Sequence, residues 1–163
     1  MRHYPLSIFQ YAICLCALCV VLASCNDASC YDNGSALPLV RFCASGSTTQ
    51  VSIEGLTIRG IDAPGDSVLV QGGTTSEVYL PLRATTTCTQ WELDYPADGS
   101  TPDTLTIAYQ PIPYFASAEC GAMYNFQISS ATVTHHLIDS VQVVKPLIDN
   151  GTDVAIRLFF PTQ

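Results

Sequence analysis

Few residues in this chain have the types and spacing that chemistry needs. His135-His136-Leu137-Ile138-Asp139 holds the only histidine pair. Neighbouring residues of a strand point to opposite faces, so these two imidazoles are poorly placed to share a metal. Hydrolysis would need a placed nucleophile and a carboxylate that orients the base. Neither a Gly-x-Ser-x-Gly turn nor a His-Glu-x-x-His motif occurs. The stretch reads as a solvated approach to a strand, and the chain is expected not to be an enzyme. Asp94, Asp98 and Asp103 crowd a segment with Gly99, and such carboxylates can ligate calcium. Their spacing departs from Asp-x-Asp-x-Asp-Gly, so a solvated acidic loop is expected, with no metal and no cofactor. Among the aromatics, Trp91 and Tyr109 fit a core. Tyr114 and Phe115 follow Pro111 and Pro113 and are the candidates for an exposed ligand platform, for example one that stacks on sugar.

Sulfur is the other reactive element. Of eight cysteines, Cys14, Cys16 and Cys19 lie in an apolar stretch that is densest from Tyr11 to Leu22. That stretch follows Met1-Arg2-His3 and is too short for a comfortable membrane span, which needs about 20 residues. It has the layout of a secretory signal. Leu22-Ala23-Ser24-Cys25 closes it and matches the bacterial lipobox. In proteins with this pattern the signal is removed before the cysteine, which then carries lipid. Residues 1–24 are therefore read as a lipoprotein signal peptide, helical in the precursor, and Cys25 as the lipidation site. Each buried methylene contributes roughly 0.8 kcal/mol, so two or more acyl chains anchor a domain stably. Cys30, Cys43, Cys88 and Cys120 remain. In an oxidising compartment an even set suggests bridges, and four cysteines allow three connectivities. The favoured reading is Cys30–Cys120 with Cys43–Cys88. No Cys-x-x-Cys pair occurs among these four, which argues against zinc.

Composition bounds the rest. Six Lys and Arg stand against 14 Asp and Glu, a net charge of −8, and removal of residues 1–24 would take away one further cation, Arg2. Such a surface repels phosphate backbones, so no nucleic-acid partner is expected. The charged fraction of 12% is about half the usual value, while apolar residues are plentiful, which suits an exported folded domain.

Hydrophobic periodicity is close to 2 throughout. Residues 26–36 are polar and form, with Cys25, a tether over 25–36. Leu37–Ala44 is β-prone. Val51, Ile53, Leu56 and Ile58 alternate across Gly55, which marks a bulge. Val68 and Val70 alternate before a turn at Gly72-Gly73. Val78, Leu80 and Leu82 share a face, as do Trp91, Leu93 and Tyr95. Leu105, Ile107 and Tyr109 alternate, and Pro111 and Pro113 are expected to end that strand, because proline lacks the ladder donor. Tyr124, Phe126 and Ile128 alternate again. Leu137–Val144 and Val154–Phe160 read as a terminal hairpin around Asp149-Asn150-Gly151. The expected fold is all-β, an immunoglobulin-like β-sandwich of about seven to nine antiparallel strands over residues 37–163.

Glu119-Cys120-Gly121-Ala122-Met123-Tyr124-Asn125-Phe126 is a distinctive element. With the Cys25…Cys30 opening, Tyr79-Leu80-Pro81-Leu82, the Thr106–Phe115 strand and Val154–Phe160, it resembles an uncharacterised family of Bacteroidota cell-envelope lipoproteins. The resemblance implies a compartment and favours Cys30–Cys120 as the shared bridge; it implies no activity. In that phylum exported proteins carry O-glycans at Asp-Ser/Thr followed by an aliphatic residue. Ser67, Thr104 and Ser140 sit in such triplets, though Asp-Ser and Asp-Thr are also common before strands. The functional expectation is a lipoprotein anchored through Cys25, on the periplasmic face of the outer membrane, that binds or scaffolds an envelope protein. The alternative is a glycan-binding accessory lipoprotein for polysaccharide capture.

Overall fold

A computed structural model describes residues 36–63, 67–95, 99, 101–117 and 121–161. The expected signal peptide over 1–24, residues 25–35 of the expected tether and Cys120 lie outside these residues, whereas Ala36, expected to end the tether, is buried in the core.

Every regular element among the described residues is a strand: β1 (Leu39–Ala44), β2 (Ile53–Ile61), β3 (Val68–Thr75), β4 (Glu77–Tyr79), β5 (Cys88–Asp94), β6 (Asp103–Ser117), β7 (Gly121–Val133), β8 (Ser140–Val143), β9 (Leu147–Ile148) and β10 (Val154–Phe160). They form a four-stranded sheet, β4-β1-β10-β8, and a six-stranded sheet, β3-β2-β5-β6-β7-β9. The β-sandwich expected from periodicity is present. It has ten strands rather than seven to nine, because β4 and β9 are only three and two residues long. One pairing is parallel: β1 lies beside β10, with Phe42 opposite Leu158 and Ala44 opposite Phe160.

Alternation decides which faces meet. Val40, Phe42, Ile156 and Leu158 of the smaller sheet join Leu56, Ile58, Trp91, Leu93, Leu105, Ile107, Tyr109 and Phe126 of the larger one in a single core. Tyr95 and Phe160 meet edge to face with ring centroids 6.2 Å apart. The expected terminal hairpin forms, with Ile156 opposite Val143 and Phe159 opposite Ser140. Its loop makes an unforeseen detour: β9 crosses to the larger sheet and pairs with Phe126 and Gln127 of β7. Lys145 Nζ then ties that loop down, bonding Asp149 at 2.9 Å and Asp153 at 3.1 Å.

Three local expectations need correction. Gly55 does mark a bulge in β2, with φ of 66° and a register shift beside it. Gly72-Gly73 does not turn the chain. β3 runs through both, and its irregular pairing with β2 absorbs the left-handed Gly72, whose φ is 59°. Leu80 and Leu82 are buried as expected, but they lie beyond β4 in an irregular crossing segment.

The third correction is the largest. Pro111 and Pro113 do not end a strand; they sit inside β6, opposite Phe126 and Tyr124 of β7. The reason is which way the missing donors would have pointed. Pairing between β5 and β6 stops at Cys88 opposite Ala108. The Tyr109 amide still reaches across to the Thr87 carbonyl at 2.9 Å. Residues 111 and 113 share the direction of Tyr109, so their nitrogens face the edge where β5 has run out. No ladder bond is lost.

Candidate functional site: the β6–β7 arm and the Asp103 clasp

Beyond Ala108, β6 and β7 continue without β5 at their side, and past Pro111, where β9 has also ended, they form a two-stranded arm. Parity sorts its side chains. Tyr109 and Phe126, both buried, define the core-facing side; Pro113, Tyr124, Phe115 and Ala122 continue it. Ile112, Tyr114, Met123 and Asn125 occupy the other face. Phe115 is 74% exposed, the highest value among the large hydrophobic residues described, and Ile112 is 41% exposed. Tyr114 and Phe115 were expected to form one platform. They are consecutive residues of a regular strand and lie on opposite faces, so no flat ligand can stack on both. Sequence reasoning missed Ile112 and Met123, whose signal was only an apolar residue caught between two prolines and its cross-strand neighbourhood.

Asp103 is the most heavily bonded side chain described. It is fully buried at the first position of β6. Oδ1 accepts from the His136 amide at 2.9 Å and from the Thr134 hydroxyl at 2.9 Å. Oδ2 accepts from the amides of Leu137 and Ile138, both at 2.9 Å. Burial alone would raise the carboxyl pKa. The amides of His136, Ile138 and Leu137, with the Thr134 hydroxyl, outweigh it and hold the group below the ordinary carboxylate range. Its oxygens are thus engaged by donors, not free for calcium. Asp94 faces Arg59 at 3.5 Å, and Asp98 lies outside the described residues. Among the described residues no cluster of three metal-ligating side chains occurs. His135 and His136 are exposed, and it is the backbone of their loop that matters. The Tyr95 hydroxyl lies 3.5 Å from Asp103 Oδ2. Burial first, then the Asp103 charge and hydrogen bond, push the Tyr95 phenol far above its ordinary range.

Cys43 and Cys88 are free thiols, so the expected Cys43–Cys88 bridge is absent. Cys43 belongs to β1 of the smaller sheet and is buried, with its Sγ 3.9 Å from the Thr48 carbonyl. Cys88 opens β5 of the larger sheet and is exposed. Sequence parity could not reveal that the two cysteines belong to different layers. The expected Cys30–Cys120 bridge falls outside the described residues.

The three candidate glycosylation sites are each half-buried. Thr104 sits within the larger sheet, opposite Glu92, and follows the buried Asp103. Ser140 opens β8 at the rim of a shallow depression shared with Ser47 and Gln142. Ser67 precedes β3, and its carbonyl accepts the Gly60 amide at 2.9 Å.

Fold and surface together define a β-sandwich domain that carries a projecting apolar arm. Residues 55–160 match the model of a family of unknown function (DUF6452), and the chain belongs to that family. No curated protein and no solved structure matches the chain.

Proposed function

We propose that this is a cell-envelope lipoprotein, anchored through lipid on Cys25, that binds or scaffolds an envelope protein without catalysing a reaction. The β6–β7 arm is its docking element. The observation that carries this reading is Phe115, 74% exposed on a ribbon whose β6 edge is closed to strand addition by Pro111 and Pro113. On that side a partner would be held by side chains, with Phe115 as the anchor in an apolar cleft. The lipobox supports the anchor, the acidic composition supports the absence of nucleic acid, and the resemblance to Bacteroidota lipoproteins supports the periplasmic face of the outer membrane. The glycan-capture alternative gains nothing from the arm, since Tyr114 and Phe115 do not share a face. O-glycosylation is proposed at one or more of Ser67, Thr104 and Ser140, and intact mass from the native host reads it directly.

Crosslinking in native cells followed by mass spectrometry tests the proposal. The wild-type chain should yield a discrete protein partner crosslinked near residues 112–115, and Phe115→Asp should abolish it. Cys25→Ala should release the protein from the membrane fraction. Equal crosslinking of wild type and Phe115→Asp would remove the arm from the account.

A further inference from the structure

One end of the sandwich, between β2, β5 and the crossing segment at Pro81, encloses a cavity of about 150 Å³. Ile61, Ala63, Leu69, Pro81 and the Trp91 indole make its walls largely apolar, and Arg83 supplies a charge. Gly60 keeps one wall bare: a Cβ there would meet Ala63 Cβ at 2.8 Å and Trp91 Cζ3 at 3.3 Å. Apolar cavities of about this volume accept a benzene-sized guest.

Two polar features in this wall lack the partners expected of them. Trp91 is only 3% exposed, yet its Nε1–H finds no hydrogen-bond acceptor among the described residues. Buried donors are nearly always satisfied, so an orphan on a residue that lines a cavity asks for an explanation. Arg83 donates from its guanidinium to the Asp62 carbonyl at 3.1 Å and has no carboxylate partner among the described residues. Arg41, Arg59 and Lys145 each have one, and Arg157 is the other described cation without one. A guanidinium carries five donors, so most of Arg83's capacity is unspent.

We propose that this cavity binds a small organic carboxylate with an apolar body about the size of a benzene ring. Its carboxylate pairs with Arg83, its body fills the space between Ile61, Leu69 and Pro81, and the Trp91 indole N–H donates to an acceptor of the guest. The site lies on β2 and β5, apart from the β6–β7 arm, and does not rest on the docking reading above.

Trp91 is the only tryptophan, so the full-length protein has one indole N–H resonance. Benzoate and hexanoate are titrated against it, with benzyl alcohol as the neutral comparison. Both carboxylates should move the indole resonance downfield in a saturable manner. Benzyl alcohol and the Arg83→Gln variant should each weaken binding about tenfold or more, the effect of losing a charge-assisted bond. Arg83→Gln leaves the structural backbone bonds of that residue in place. An indole resonance that neither carboxylate moves would overturn the site. Equal binding of benzoate and benzyl alcohol, or of benzoate by wild type and Arg83→Gln, would overturn the carboxylate specificity.

Discussion

The carboxylate of Asp103 accepts the backbone amide of Ile138 at 2.9 Å across a separation of 35 residues. With the His136 and Leu137 amides, this bond fastens the loop before β8 to the start of β6. Asp103→Ala would leave three amides and a hydroxyl without their acceptor, at a cost of about 3 kcal/mol or more. Because the native pKa is lowered, the stabilisation is fully present above the ordinary carboxylate value. It disappears as pH falls through the lowered native value. Urea unfolding of wild type should therefore weaken between ~pH 5 and ~pH 2, and Asp103→Asn should lose that component of the slope. An unchanged slope in Asp103→Asn would assign the acid sensitivity elsewhere.

Two buried tyrosines make contrasting predictions. Tyr109 Oη accepts from the Arg83 amide and donates to the Arg83 carbonyl, both at 2.9 Å, and meets the Thr89 hydroxyl at 2.7 Å. Tyr109→Phe should cost about 2–3 kcal/mol, since it strands several buried groups at once. Tyr95 has only the 3.5 Å contact with Asp103, so Tyr95→Phe should cost less than about 1 kcal/mol. Denaturant midpoints at constant slope read both values. A larger loss for Tyr95→Phe would reverse this ranking.

Pro111 and Pro113 protect an open edge. Pro111→Thr with Pro113→Thr would restore two amide donors where β5 no longer reaches. The double variant should then self-associate through that edge in a concentration-dependent way. Light scattering that finds the same mass for variant and wild type across the accessible concentration range would show that proline is not the guard there.

Much of this architecture was legible in the chain, and the reasons differ by element. Val154–Phe160 and the Trp91, Leu93, Tyr95 face were readable because alternation is strict where one face is buried. Trp91 and Tyr109 were recognisable as core residues for the same reason. Pro111 and Pro113 misled because proline's cost depends on where its nitrogen points, which only the length of the neighbouring strand decides. Asp103 was read as part of a solvated acidic loop, because its partners are backbone amides and amides have no sequence signature. The Cys43–Cys88 pairing failed because both residues alternate with core-facing neighbours, Phe42 and Thr89, and so lie on the outward faces of opposite sheets, which the sequence does not reveal. Of the β6–β7 arm, the sequence pointed to Phe115 but not to its separation from Tyr114.

The two described cysteines should be distinguishable in solution. Alkylation of the native protein, mapped by peptide mass spectrometry, should modify Cys88 readily. Cys43 should react ~100-fold more slowly or worse, the factor that a local opening of about 3 kcal/mol imposes. Comparable rates would mean that the segment over β1 opens freely.

The parallel pairing of β1 with β10 also bears on when the protein can fold. The first strand of the domain has the last strand as its long neighbour, with Leu39 opposite Val154. The smaller sheet therefore cannot close until the final residues of the chain are available. Contacts this distant in sequence form slowly. Until then β1 is an apolar strand without its long neighbour, and truncation near Val154 would be far more damaging than the few residues lost would suggest.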